Sequence, residues 1–338
     1  MTKALVLLSG GLDSMLAARV LMEQGIEVTG LSFRSSFFGT AKAKKSAEQL
    51  GVKLIEVDFS DEHLIMVKNP AHGYGKNMNP CIDCHAFMLK SAKEIMVHDG
   101  FDFVATGEVL GQRPMSQHRD ALKIVEKISG LEGKLIRPLS AKLLDESEPE
   151  KQGKLIRGRL LDINGRSRQR QLELVKKYGI KEYVSPAGGC LLTDPEFSEK
   201  LLKMLEYWPD CASDDIELLK SGRVIWLKDE NGKNVLLIVG REQKDNEQLE
   251  KLAKNEDIII ELTEENGPTS LIRGIKYETS GIMKREVDAP EELKMSELKF
   301  GEKKSQEEII GLAIRLTGYY ATKSRGKKIK LNIINKLT

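Results

Sequence analysis

The chain has 338 residues, 40% hydrophobic and 31% charged, a composition that suits a globular protein in water and leaves room for about two domains. Its net charge of +2 excludes a polycation. No apolar run reaches the roughly 18–20 residues needed to span a bilayer, so a membrane protein is not expected. Four cysteines in this length, with no export signal, argue against a secretory disulfide framework and point to the cytoplasm.

The start, MTKALVLLSGG, holds an apolar stretch too short for a signal sequence that runs straight into a glycine turn, so Ala4–Leu8 reads as a first strand. A helix over Ser14–Glu23 follows, then a strand at Glu27–Phe33, a helix at Ala41–Leu50 and a strand at Lys53–Phe59. His85–His98 reads as a helix and Phe101–Thr106 as another strand. Strands alternating with helices predict βαβ units on a parallel sheet, with the ligand site at the carboxyl ends of the strands. Glu206–Asp215 (EYWPDCASDD) breaks this pattern and marks a boundary. Beyond it, strands at Arg223–Lys228 and Val235–Val239 flank an Asn-Gly turn. A helix at Asn246–Lys254, a strand at Asp257–Leu262 and a helix near Gln306–Leu316 follow. The stretch from Lys323 to Lys336 is basic with no acid, and reads either as an RNA-binding tail or as a solvated terminus.

Ser9-Gly10-Gly11-Leu12-Asp13-Ser14 lies between the first strand and the first helix. Glycines let backbone N–H groups approach phosphate oxygens, the helix offers its positive end, and Asp13 is placed to meet Mg²⁺. A Walker lysine is missing, so transfer of a γ-phosphate is not expected. The SGGLDS run resembles the loop of the PP-loop ATP pyrophosphatases. That resemblance implies ATP as cofactor, cleavage between its α- and β-phosphates, and an adenylated acceptor. It also places Ser32 and Phe33 against the adenine. The fold class follows: α/β, a Rossmann-like parallel sheet of the PP-loop (adenine nucleotide alpha hydrolase-like) type, with a smaller C-terminal α+β domain.

Cys81 and Cys84 form a CxxC pair where a helix N-terminus is expected to lower thiol pKa, and Cys190 sits in PAGGCLLTDP. Three readings stay open. The three cysteines hold a [4Fe–4S] cluster with one iron open to carry sulfide; or they pass sulfur as a persulfide on Cys190; or they bind zinc or are buried thiols. Cys211 is expected to be structural, and His85 to be a surface or capping residue.

Thr106-Gly107-Glu108, Leu110-Gly111-Gln112 and Ser116-Gln117 together resemble the PP-loop domain of the tRNA 4-thiouridine synthases. Gly165-Arg166-Ser167-Arg168 with Gln171 points the same way, and the cysteine set is similar to that of cluster-dependent tRNA 2-thiouridine synthetases. The resemblance implies a tRNA sulfurtransferase that releases AMP and diphosphate. It places Thr106, Gly107 and Glu108 on the nucleotide, and implies tRNA and a sulfur donor (a cysteine desulfurase or free sulfide) as partners. Arg166 and Arg168 read either as phosphate contacts or as surface ion pairs. No THUMP-like segment precedes the loop and no rhodanese-like segment follows, which favours cluster-bound sulfide. The GR-x-x-x-DN run at Gly240–Asn246 resembles the NFACT RNA-binding domain. The expected organisation is a PP-loop sulfurtransferase domain over 1–208, an NFACT-like domain over 212–290 and a charged helical and basic tail over 291–338.

Overall fold

In a computed structural model, residues 1–113, 116–183, 190–276, 281–293 and 301–335 are described. The chain forms two compact units, Met1–Ser198 and Glu199–Thr338.

The first unit is built on strands β1 (Lys3–Leu7), β2 (Glu27–Arg34), β3 (Lys53–Asp58), β4 (Phe103–Ala105) and β5 (Leu135–Ile136). All pair in parallel, in the order β3-β2-β1-β4-β5. Helices α1 (Leu12–Met22), α2 (Ala41–Leu50), α3 (Ser60–Lys68), α4 (Cys81–Asp99) and α5 (Arg119–Ser129) connect them, followed by α6 (Glu148–Lys151) and α7 (Gln169–Tyr178). The continuous apolar run of β1 has a simple cause: the strand is buried on both faces. Ala4 and Val6 face one core with Leu16, Val20 and Leu160, whereas Leu5 faces the other with Leu31, Leu89 and Val125. Several helices stop where a glycine takes a left-handed conformation, as at Gly51 after α2 and Gly100 after α4. Sheet order reverses direction at β1, between β2 and β4. In an open parallel sheet that reversal opens a crevice at the carboxyl edge.

Helix α8 (Pro195–Tyr207) runs across the division between the units. The second unit contains α9 (Ser213–Leu218), β6 (Arg223–Asp229), β7 (Asn234–Val239), α10 (Gln243–Leu252), β8 (Ile258–Leu262), β9 (Ser270–Arg273) and β10 (Gly281–Asp288). It continues with β11 (Lys303–Lys304), α11 (Gln306–Tyr320) and β12 (Lys328–Asn335). Its seven strands run β10-β12-β8-β9-β7-β6-β11, and α11 packs Ile309, Ala313 and Leu316 into their core. The basic stretch expected to be a tail is therefore part of this domain. Lys328–Asn335 is an internal strand, antiparallel to both β10 and β8. Its lysines alternate with Ile329, Leu331 and Ile333, which are buried, so a period of two hides inside the charge run. The run's last residue, Lys336, lies outside the described part of the chain.

In the GR-x-x-x-DN run the polar residues bind one another. The Arg241 backbone N–H and Nε both donate to Asp245, at 3.0 and 3.1 Å. Asn246 donates to the Gly267 carbonyl and accepts from the Thr269 amide. A side chain on Gly240 would overlap the Asn246 carboxamide. No helix among the described residues is long and apolar enough to cross a membrane.

Candidate active site

Residues Ser9–Ser14 leave β1 at the carboxyl edge and enter α1. Gly10 takes φ +78°, and a Cβ there would stand 2.6 Å from the Lys42 carbonyl carbon, so only glycine lets the loop press against the start of α2. Gly11 is the N-cap of α1 and uses no side chain to cap it. The first amides of α1 have no partner within the helix and are available to an anion. The Ser14 hydroxyl donates to the Gly11 carbonyl at 2.8 Å and the Ser9 Oγ accepts from the Gly11 amide at 3.3 Å, which fixes the turn.

The loop forms one wall of a cavity of about 610 Å³. Ser9, Gly11, Leu12, Asp13 and Ser14 line it, as do Ser32 and Phe33 from β2 and Thr106, Gly107 and Glu108 beyond β4. Gly10 is not in the lining; it supports the turn from below. Cys81, Cys84 and Cys190 line the same cavity. Its cations are Lys42, Arg113 and Arg168. Against them stand Asp13 and Glu108, and Glu108 is itself paired with Arg137 at 3.0 Å. The positive excess suits a polyphosphate.

Asp13 is the centre of a polar cluster. Its Oδ2 accepts from Gln112 Nε2 at 2.8 Å and from an Arg168 Nη at 3.2 Å, and Gln171 Nε2 in turn donates to Gln112 Oε1 at 3.2 Å. The other carboxylate oxygen, Oδ1, is buried with no partner among the described residues. Arg168 thus belongs to the site, whereas Arg166 is exposed and lies outside the cavity lining.

Gly107 lets the end of β4 approach α1. A Cβ on it would stand 2.5 Å from the Asp13 carbonyl carbon and 2.6 Å from the Ser14 Cα. Glu108, next along, is buried and accepts from Thr106 Oγ1 at 3.0 Å and from Arg137 Nε at 3.0 Å. Burial alone would raise its pKa, but the Arg137 charge and the hydrogen bond from His85 bring it down to about 2. His85, expected at the surface or in a cap, instead faces the cavity with Nδ1 held 3.1 Å from Glu108. Helix α4 starts at Cys81 and carries His85 with Cys84 on the side that lines the cavity, where Glu108 partners it.

Cys81 and Cys84 occupy the first turn of α4, three residues apart and on one face. The thiol pKa values run opposite to expectation. Burial raises all three, Cys190 to about 11 and Cys84 well above its usual range, with the neighbouring cysteines adding to the shift at Cys84. Desolvation outweighs the helix end because the sulfurs are withdrawn from water. Gly188 and Gly189 lie outside the described residues; just after them, the Leu191 amide donates to Phe37 O at 3.1 Å and Asn77 donates to the Thr193 carbonyl at 2.7 Å, which anchor the Cys190 segment. Cys211 is buried in the second unit.

A five-stranded parallel sheet, a glycine loop after its central strand and a cavity at its carboxyl edge define the first unit as a PP-loop, Rossmann-like nucleotide-binding domain. Residues 1–148 match the family model described as Thiamine biosynthesis protein (ThiI). Among curated relatives, a tRNA-specific 2-thiouridylase MnmA of Treponema denticola is 34% identical over 119 residues, covering 31% of this chain and 32% of its own. A probable tRNA sulfurtransferase of Finegoldia magna is 31% identical over 143 residues, covering 41% of this chain and 36% of its own. The chain thus spans about a third of the length of the curated relatives it matches. A solved 4-thiouridine synthetase–RNA complex with bound ATP is 20% identical, with a TM-score of 0.39, covering 65% of this chain and 52% of that one.

Sequence reasoning quoted Gln112 and Gln171 only as parts of a pattern and missed Lys42. The Gln112–Asp13 bond joins residues 99 positions apart, so no local signal announces it. Lys42 looks in sequence like any other lysine of a surface helix.

Proposed function

We propose that this chain is an ATP-dependent tRNA sulfurtransferase that adenylates a carbonyl oxygen of uridine and replaces it with sulfur, giving 4-thiouridine or 2-thiouridine. One observation carries the reading: the phosphate loop and all three cysteines, which come from separate parts of the chain, line a single cavity. The relatives named for tRNA thiolation support the choice of substrate.

The loop amides from Gly11 to Ser14 hold the outer phosphates of ATP, with Lys42 and Arg168 offsetting their charge. Ser32 and Phe33 border the adenosine. The unpartnered Oδ1 of Asp13 is the acceptor suited to Mg²⁺, a cation that takes oxygen ligands. The uridine oxygen attacks the α-phosphorus, the bond to the β-phosphate oxygen breaks, and pyrophosphate leaves. Sulfur then bonds to the ring carbon, the C–O bond breaks, and AMP departs with the former uridine oxygen. Fixed amides and cations that stabilise phosphoryl charge supply most of the protein's contribution.

The candidate sulfur site offers three thiols, Cys81, Cys84 and Cys190, to one cavity. A single zinc needs its thiolates ~3.8 Å apart, given Zn–S bonds of ~2.3 Å. Among the described residues no group of three His, Cys, Asp or Glu side chains is placed to hold a metal ion. A [4Fe–4S] cluster gives each thiolate its own iron, and three soft ligands facing one cavity suit it. When bound, it would supply an iron with no protein ligand as a place for sulfide. Cys81, Cys84 and Cys190 would hold it, and their raised pKa values are met when iron takes the place of the protons. The sulfur donor, a cysteine desulfurase or free sulfide, lies outside this chain. In the second unit, Lys323, Arg325, Lys327 and Lys328 at the start of β12 form a basic edge suited to RNA phosphates, with Arg325 stacked 4.0 Å over the Tyr319 ring.

The test uses the full chain, purified without oxygen and given ATP, Mg²⁺, sulfide and unmodified tRNA transcript. AMP and pyrophosphate should form in step with thiouridine, read by nucleoside mass spectrometry. Release of ADP, or AMP with no thiouridine, sinks the proposal. Iron and acid-labile sulfide in the brown protein support the cluster; stoichiometric zinc in a colourless one rejects it.

A further inference from the structure

We infer that Gln117 reads the imide edge of the acceptor uracil and holds the base between the phosphate loop and the cysteines. The inference rests on the uridine reading above and names the side chain that selects the base. Gln117 is 5% exposed and lines the cavity, yet its Oε1 is buried without a hydrogen-bond partner among the described residues. Buried amide oxygens are almost always paired, so an unpaired one on a side chain that lines a cavity points to a donor that arrives with a ligand.

The residue is firmly placed. The Gly111 amide donates to the Gln117 carbonyl at 2.7 Å, and the Gln117 amide donates to the Arg113 carbonyl at 2.9 Å. The same loop borders both chemical ends of the cavity. Gln112 bonds Asp13 beside the phosphate loop, and the charge of Arg113 reaches the Cys81 thiol, although burial governs that group. An acceptor base must lie between these ends if phosphate is to be attached and sulfur is to replace it. On the reading above Ser32 and Phe33 of β2 border the adenosine, and β2 flanks β1 on the side opposite β4 and the loop that follows it. Gln117 therefore serves a base other than the adenine of ATP.

A carboxamide presents an acceptor and a donor side by side. The uracil imide presents the complement, N3–H beside a carbonyl oxygen. With N3–H donated to Oε1 and the Nε2 group donating to one carbonyl, the other carbonyl is left free to attack phosphorus. A donor on the attacking oxygen would weaken it as a nucleophile, so the pairing also selects which oxygen reacts.

The experiment compares the full-length protein with Gln117→Met, which keeps the volume and removes both polar atoms. Pyrophosphate release driven by unmodified tRNA transcript, ATP affinity and melting temperature are measured for each. The variant should lose about 10- to 100-fold in kcat/KM for tRNA, the effect of about two hydrogen bonds. Its ATP affinity should be unchanged and its melting temperature no lower, because a buried atom without a partner has been removed. Equal tRNA-dependent rates in variant and parent overturn the inference, and so does a matching loss of ATP affinity, which would assign Gln117 to the nucleotide. If the parent itself releases no pyrophosphate with tRNA, the uridine reading fails and the inference with it.

Discussion

Gly107→Ala tests the packing that brings the nucleotide half of the site together. The added Cβ would lie 2.5 Å from the Asp13 carbonyl carbon and 2.6 Å from the Ser14 Cα, against 3.4 Å for ordinary contact. Both atoms are backbone at the start of α1, so no side chain can swing aside. The loop or the end of β4 must retreat by about 0.9 Å, an overpacking strain of ~1–3 kcal/mol. For a domain of this size that corresponds to a fall of roughly 2–10 °C in melting temperature. The loop amides move by the same distance, and displacements near 1 Å cost on the order of 100-fold in positioned chemistry. Scanning calorimetry and ATP titration read the two effects separately. Unchanged ATP affinity together with an unchanged melting temperature would refute the claim that close approach of Gly107 to α1 shapes the loop.

Other expectations follow from the same structure. Cys190→Ala should abolish thiouridine formation while ATP binding persists, and a normal thiouridine yield from that variant removes Cys190 from the chemistry. His63 is fully buried, stacked on Phe59 at 4.7 Å with both ring nitrogens unpartnered among the described residues, and burial lowers its pKa from 6.5 to about 4. Because the unfolded chain takes up this proton first, stability is full above pH 6.5 and declines toward pH 4, by about 3 kcal/mol in all. His63→Phe should flatten denaturant-derived stability over that range, and an unaltered slope contradicts the assignment. In the second unit, Arg273 is nearly buried and pairs with Asp257 at 2.6 Å and Asp215 at 2.5 Å. Arg273→Met strands the Asp257 carboxylate and should destabilise that unit by about 3–5 kcal/mol, read as an earlier calorimetric transition. A transition that does not move would show that the carboxylates find other partners.

The parallel sheet and the strand, glycine turn and helix around Ser9–Ser14 were legible in sequence because each depends on neighbours within a few residues. Apolar strands, glycine turns and helix periods are local, and each element fixes its own type. The second unit was less legible. Lys328–Asn335 reads as a basic run until β10 and β8 are seen to flank it, since strand pairing depends on residues far away in the chain. His85 and the thiols were misjudged for a related reason. Chain position gives a helix end but not the burial that raises Cys84 and Cys190 or the Glu108 partner that turns His85 inward.

The amino-acid order alone therefore determined the glycine turn after β1 at Ser9–Ser14 and the pair of cysteines at Cys81 and Cys84, because glycine conformations and a CxxC spacing are properties of short segments. Only the tertiary structure decided which distant side chains join them. Gln112 and Arg168 reach Asp13, Arg137 reaches Glu108, and Cys190 comes to the same cavity as Cys81 and Cys84 because the sheet closes these separations through space. Burial and charge at the site arise from that closure, and no stretch of sequence contains them.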